Sequence, residues 1–229
     1  MTIAYKNTIS EKYYKKKVFK KNKLILKKYL KKTSSSLNFR KDFFYSLSKN
    51  YKFSFDLKQY SKYKKFKNVI LIGMGGSILG SEAIYCFLKD KIKKNFLFFN
   101  NLDETKKYNF NNSKNYLFII ISKSGNTLET ITNVNLIKKK ILTSKNTIII
   151  SSKNNNALYF YSKKNNIPFV EHKKYIGGRY SVLSEAGMLP AYLMGLDPRK
   201  IRSRILENFN SKKSSFLIDS ASKLSQIYL

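Results

Sequence analysis

The chain has 229 residues, of which 42% are hydrophobic, so it is long and apolar enough to bury a core. Its 46 lysines and arginines against 13 aspartates and glutamates give a formal net charge of +33, which suggests an anionic partner. One cysteine excludes an internal disulfide, one histidine argues against a zinc site, and no apolar run approaches the length of about 18 residues that a membrane span requires.

Nucleic acid is the partner that so basic a chain first suggests. Arginine accounts for only five of the basic residues, whereas a nucleic-acid reader favours arginine for bidentate contacts. The residues in excess are Lys, Asn, Ile, Phe and Tyr, which have A/T-rich codons, so genome base composition explains the charge. Nucleic-acid binding therefore stays an alternative, and we expect a cytoplasmic protein with no nucleic acid and no membrane as partner.

Residues 1–55 are predicted to form a lysine-rich helical extension. Within them, residues 11–32 have the spacing of an amphipathic helix. Its predicted buried contacts are Val18, Leu24, Ile25, Tyr29 and Leu30.

From residue 68 onward, short apolar runs alternate with helical patterns. The predicted strands are residues 69–72, 96–99, 116–121, 147–150 and 167–170. The predicted helices are residues 79–93, with Cys86 as a core residue, 127–142, 157–164 and the buried segment 182–189. This alternation predicts an α/β fold, a parallel five-stranded sheet flanked by helices in a flavodoxin-like three-layer arrangement. We assign residues 56–196 to this domain and residues 197–229 to a helical segment that follows it.

The loop of residues 73–77 (Gly-Met-Gly-Gly-Ser, here the glycine loop) follows the first predicted strand and opens a helix. Its backbone amides can face an anion at the helix N-terminus. The dinucleotide fingerprint fails because Ile78 stands where a third glycine belongs, and the P-loop fails because Ser81 follows Gly80. A tight turn without any ligand is the alternative.

The loop of residues 122–127 (Ser-Lys-Ser-Gly-Asn-Thr, here the serine loop) supplies three hydroxyls and an ammonium at another helix start. These groups suit a phosphate monoester. We predict phosphate binding by Ser122, Ser124 and Thr127, and a capping box in which Asn126 is the N-cap and Glu129 its partner.

The loop of residues 177–181 (Gly-Gly-Arg-Tyr-Ser, here the arginine loop) precedes the buried helix. Its glycines allow close backbone approach to a ligand, and Arg179 offers a permanently charged fork of donors. This combination suits an anion or developing negative charge. The alternative is a salt bridge that closes the loop through Glu171 or Glu185.

Together the glycine and serine loops resemble the sugar isomerase (SIS) domain. Residues 75–77, and then Ser122, Lys123 and Ser124 with Thr127, Glu129 and Thr130, match its sugar-phosphate cradle. With residues 177–184 the resemblance narrows to the glucose-6-phosphate isomerase family and covers residues 68–195.

The resemblance implies interconversion of glucose 6-phosphate and fructose 6-phosphate through a cis-enediol, in glycolysis and gluconeogenesis, without metal or organic cofactor and usually in a homodimer. It implies that Gly76 and Ser77 contact the sugar. It also places Ser122, Lys123, Ser124 and Thr127 around the phosphate, and Arg179, the implied catalytic residue, near the reacting carbons. A guanidinium there can stabilise enediolate charge, so Arg179→Lys should reduce turnover more than phosphate affinity.

The family's base, a glutamate, and its ring-opening histidine and lysine follow the arginine motif, and no segment after residue 196 resembles them. We do not assign ring opening to His172. We do not assign the role of the base to Glu171 or Glu185. We therefore expect the N-terminal portion of such an isomerase, with residues 197–229 leading toward a second SIS domain, that binds sugar phosphate but is inactive alone. A non-catalytic SIS module that senses a phosphosugar and regulates a partner is the alternative.

Overall fold

The computed structural model describes residues 8–37, 39, 42–102, 110, 115–137, 141–203, 205–209 and 211–227. The chain divides into two compact units, one of residues 52–199 and one of residues 1–51 with 200–229. The larger unit contains the sheet and all three candidate loops. The three predicted domain boundaries stay a prediction.

The described residues contain five strands and eight α-helices, together with short 3-10 helices. The strands are β1 (Asn68–Gly73), β2 (Asn95–Phe99), β3 (Tyr116–Ser122), β4 (Thr147–Ser151) and β5 (Phe169–Glu171). The helices are α1 (Lys16–Ser36), α2 (Leu57–Tyr60), α3 (Leu79–Phe87), α4 (Leu128–Leu136), α5 (Ala157–Lys164), α6 (Glu185–Leu193), α7 (Pro198–Ser203) and α8 (Ser211–Leu224).

The strands form one parallel sheet in the order β2-β1-β3-β4-β5. Every residue of β4 is buried, as is every residue of β1 and β3 except the first. Strands that are covered on both faces need continuous apolar sequence, which explains why these runs show no alternation. The predicted five-stranded parallel sheet is confirmed.

The crossovers run in two directions from the centre of the sheet. The chain passes from β1 through α3 to β2 on one side, and from β3 through α4 to β4 on the other. Because such crossovers are right-handed, α3 and α4 lie on opposite faces, which gives the predicted three layers. The change of direction between β1 and β3 opens a crevice at their carboxyl ends, where α/β sheets bind ligands.

One apolar cluster lies where α4 and α5 cover the sheet. It joins Ile70, Ile72, Phe118, Ile120 and Ile149 of the strands to Val134, Ile137 and Leu158. Helix α6 is buried along nearly its whole length, which confirms the predicted buried helix, although it begins at Glu185 rather than at residue 182.

Helix α1 is amphipathic as predicted, but its inward face was predicted wrongly. Val18, Leu24, Ile25 and Tyr29 are exposed, and of the five predicted contacts only Leu30 is partly buried. The face toward α8 carries polar residues, because Asn22 Nδ2 donates to Ser225 Oγ, just after α8, at 2.9 Å and Lys23 lies 2.7 Å from Asp219. No described helix, α1 included, has the length and apolar character to cross a membrane.

Several element bounds differ from the prediction. Helix α3 ends at Phe87, and residues 89–91 form a separate 3-10 turn, so Cys86 lies near the helix end and is exposed instead of in the core. Helix α4 ends at Leu136, and residues 138–140 of the predicted helix lie outside the described residues. Strand β5 covers residues 169–171, two residues later than its predicted start.

Candidate functional site

The glycine loop forms a tight turn at the carboxyl end of β1. Gly75 has φ +55°, a backbone conformation that favours glycine, and residues 75–77 make one 3-10 turn before α3. Ser77 N donates to Met74 O at 3.2 Å, while the Ser77 hydroxyl is half-buried and has no partner among the described residues. The loop therefore presents a polar side chain and backbone at the crevice.

The serine loop brings its three hydroxyls into mutual contact. Ser122 Oγ lies 2.8 Å from Thr127 Oγ1 and 3.4 Å from Ser124 Oγ, and the latter two are 3.2 Å apart. Gly125, with φ +70°, closes the turn and donates its N–H to Ser122 Oγ at 3.1 Å. Ser122 is buried, Thr127 is half-buried and Ser124 is exposed, and three converging hydroxyls can donate to the oxygens of one phosphate.

The start of α4 corrects the predicted capping box. Thr127 is the N-cap residue and its side chain makes no capping hydrogen bond, so the first amides of α4 are left to an anion. Asn126 Oδ1 instead accepts from Ala157 N at 2.9 Å, at the first residue of α5. Asn126 caps the neighbouring helix because the serine loop lies beside the β4–α5 turn, and Glu129 is therefore not its capping partner.

The arginine loop reaches the glycine loop from the far side of the sheet. It follows β5, which is three strands away from β1 in the sheet, yet Ser181 Oγ lies 3.0 Å from Gly76 O in the loop after β1. Ser181 Oγ also lies 2.7 Å from Gly178 O within its own loop. A Cβ built on Gly76 would lie 2.6 Å from Arg179 N and closer still to the Gly178 carbonyl. The residues between β5 and Gly178 thus cross the carboxyl edge of the sheet to β1, and Gly76 allows this contact.

Two cations of the site have no ion-pair or hydrogen-bond partner within the part of the chain that the structure describes. They are the exposed guanidinium of Arg179 and the half-buried ammonium of Lys123. Among the described residues Arg179 forms a salt bridge with neither Glu171 nor Glu185. The buried Glu185 instead accepts from Ser54 N at 2.9 Å and lies 3.8 Å from Lys173 Nζ. Both cations are therefore available to an anionic ligand.

His172 lies directly after β5 and is fully buried. Its Nδ1 is 3.2 Å from Lys173 O, and its Nε2 has no partner among the described atoms. Burial lowers the pKa of His172 below its ordinary value of 6.5, the positive charge of Lys123 adds to this, and Glu185 with the carbonyl of Lys173 opposes it. The imidazole is thus held neutral inside the fold.

The neutral His172 makes folding stability depend on pH. The unfolded chain takes up a proton near pH 6.5 while the folded chain resists it, so the free energy of unfolding should fall as pH drops below about 6.5. The slope cannot exceed about 1.4 kcal/mol per pH unit for one group. Thermal unfolding at pH 7.5, 6.5 and 5.5 measures it.

His172→Gln is the control, because His172 is the only histidine of the chain. The variant should lose most of the slope between pH 7.5 and 5.5. An equal slope in both proteins would show that another group causes it.

Sequence reasoning missed three supporting residues of the site. Ser181 lies within the arginine loop, but its role between two loops depends on a contact with Gly76, 105 positions away in the chain. Ser152 and Asn156 lie in the turn between β4 and α5. The sequence did carry a signal for Asn156, since an asparagine just before a helical pattern is an N-cap signal.

Comparison with known proteins identifies the larger part of the chain. A model of the phosphoglucose isomerase family matches residues 48–206. A glucose-6-phosphate isomerase of Methanocaldococcus jannaschii is 39% identical over 154 residues, 64% of this chain and 37% of that protein. One of Borreliella afzelii is 36% identical over 171 residues, 66% of this chain and 31% of that protein. The chain thus spans about a third of the length of the curated relatives it matches.

A solved structure shares the fold. The crystal structure of a hypothetical protein from Thermus thermophilus matches with a TM-score of 0.68 at 16% identity, over 91% of this chain and 53% of that protein. At this identity the match concerns the fold alone.

Proposed function

Because the chain belongs to the phosphoglucose isomerase family, we propose that it provides the sugar-phosphate site of an enzyme that interconverts glucose 6-phosphate and fructose 6-phosphate. The observation that carries the proposal is the triangle of hydroxyls of Ser122, Ser124 and Thr127 at the start of α4. Beside it lies the unpaired ammonium of Lys123, within the described part of the chain.

The phosphate is bound by the serine loop. The three hydroxyls and the first amides of α4 donate to its oxygens, and Lys123 supplies the positive charge. This anchor fixes the sugar in the crevice between β1 and β3, where Gly76 and Ser77 contact it. The remaining positive charge of the chain helps to attract the dianion.

The arginine loop acts on the reacting carbons. Removal of a proton from C2 of the open-chain aldose places negative charge on an enediolate, and Arg179 stabilises that charge as it develops. Its loop is held against Gly76 by Ser181, so the backbone from which the guanidinium extends is fixed at the crevice. We do not assign the proton transfer to Glu185, since its carboxylate is bound to Ser54 and Lys173 inside the fold. That the chain alone does not turn over sugar phosphate stays a prediction.

Fructose 6-phosphate should stabilise the folded chain. At a tenfold excess over Kd the linkage term is about 1.4 kcal/mol, which raises Tm by roughly 3–5 °C in a protein of this size. Differential scanning calorimetry with fructose 6-phosphate, glucose 6-phosphate, fructose and a DNA duplex at two salt concentrations measures this.

Fructose should give no shift, because it lacks the group that the serine loop holds. Arg179→Lys should change the affinity less than about threefold, since it retains the charge and does not hold the phosphate. A shift with DNA but none with fructose 6-phosphate would contradict the proposal and favour the nucleic-acid alternative.

A further inference from the structure

The turn between β4 and α5, residues 152–156 (here the support turn), lies against the serine loop and is joined to it by several hydrogen bonds. Ser152 donates to Lys123 O twice, from its backbone N at 3.1 Å and from its Oγ at 2.7 Å. Just beyond the turn, Leu158 N donates to Gly125 O at 3.2 Å. Two successive strand-end turns of the sheet are thereby held together as one structure.

Asn156 fixes the support turn itself. Its Nδ2 donates to Ser152 O at 2.9 Å, and its Oδ1 accepts from Tyr159 N at 2.9 Å as the N-cap of α5. The side chain is 3% exposed and lies directly beneath Gly125, where a built Cβ would be 2.8 Å from Nδ2 and closer still to Oδ1. The left-handed conformation of Gly125 is therefore matched to the position of the Asn156 amide.

The two hydrogen bonds of Ser152 act on Lys123, which is the charged residue of the serine loop. Since both donors of Ser152 hold the carbonyl of Lys123, the backbone from which the ammonium extends is fixed. The Ser152 hydroxyl is buried in this contact, with a residue exposure of 4%. Ligand sites gain affinity when the loop that holds the ligand is ordered before binding, because less entropy is then lost.

We propose that Ser152 and Asn156 are positioning residues of the sugar-phosphate site, which hold the serine loop in its phosphate-binding conformation without touching the ligand. The inference rests on the proposed function for the identity of the ligand. The order of the serine loop does not depend on any ligand, so the positioning role and the proposed function can be tested separately.

Ser152→Ala tests the proposal, with Ser162→Ala as matched control. Ser162 is also a buried serine, 2% exposed, whose Oγ donates to a backbone oxygen at 2.7 Å, but its acceptor is Tyr159 O within α5. By calorimetric titration with fructose 6-phosphate, Ser152→Ala should bind about fivefold more weakly, which is the factor that one net hydrogen bond gives. Ser162→Ala should bind like the unaltered chain, while the two variants lose similar Tm.

The second measurement needs no ligand. Hydrogen exchange of the Gly125 and Asn126 amides, which donate to Ser122 and Ser124 hydroxyls, should accelerate about fivefold in Ser152→Ala and remain unchanged in Ser162→Ala. Exchange that rises in neither variant, or equally in both, would overturn the positioning role. If the unaltered chain binds no sugar phosphate, the proposed function fails, and the exchange rates alone decide whether the support turn orders the loop.

Asn156 gives an independent check through two substitutions. Asn156→Asp keeps the N-cap acceptor for Tyr159 N but places an oxygen against Ser152 O, whereas Asn156→Ala removes both bonds. Both should accelerate exchange at Gly125, and Asn156→Asp should do so with the smaller loss of Tm. Faster exchange in Asn156→Ala but not in Asn156→Asp would show that Asn156 stabilises the start of α5 and does not hold the serine loop.

Discussion

Replacing Gly76 with alanine is expected to force the glycine and arginine loops apart. The new Cβ would lie 2.6 Å from Arg179 N and closer to the Gly178 carbonyl, and these are backbone atoms that cannot rotate away. The Ser181 hydrogen bond to Gly76 O would be stretched by the same movement. The free energy of unfolding should fall by about 2–3 kcal/mol, as in other overpacked sites. Chemical denaturation measures it.

Gly178→Ala is the matched control for this substitution. It adds the same methyl group on the other side of the same contact, but the nearest atom to its built Cβ is Gly76 Cα at 3.9 Å. Its stability should be unchanged or slightly higher, because alanine restricts the unfolded chain. Equal losses in both variants would mean that the two loops do not meet as closely as the structure shows.

Ser124→Asp should abolish sugar-phosphate binding while the fold is retained. Ser124 is exposed, so the substitution buries no charge, but its carboxylate would stand among the hydroxyls of Ser122 and Thr127. Repulsion of the phosphate and loss of one charge-assisted hydrogen bond should weaken affinity roughly 100-fold or more. Calorimetric titration with fructose 6-phosphate and with inorganic phosphate measures the loss for both ligands.

Ser61→Asp controls for the change in net charge. Ser61 is also exposed, and it precedes β1, so it lies toward the amino ends of the strands and away from the serine loop. Its affinity should equal that of the unaltered chain. A similar loss in Ser61→Asp would show that binding follows the total charge of a basic chain and not the cradle of hydroxyls.

The architecture of the larger unit could be predicted because its strands are buried on both faces. A run such as residues 69–72 is apolar throughout, and a continuous apolar run that ends in glycine or serine is readable without a structure. The point at which the apolar run stops also marks the carboxyl ends of β1 and β3, where the glycine and serine loops lie. Both loops were therefore found from local sequence.

Faces and partners of side chains could not be predicted from the sequence. Helix α1 is amphipathic, but its sequence does not show which of its apolar residues turn inward. The contacts of Asn22 with Ser225 and of Lys23 with Asp219 show that Asn22 and Lys23 lie on the face toward α8 and the residue after it. Asn126 had a suitable local role as N-cap, yet it bonds to Ala157 of the next helix. Cys86 lies near the end of a helix that stops earlier than its pattern suggests.

The sequence by itself determined the sheet, the positions of the three loops and the resemblance that names a family, since each depends on residues adjacent in the chain. Only the tertiary structure decided that the arginine loop returns from β5 to Gly76, and that the support turn holds the serine loop from beneath. These contacts join residues between 29 and 105 positions apart. Their physical basis is close backbone approach and buried hydrogen bonding, which leave no periodic pattern in the sequence.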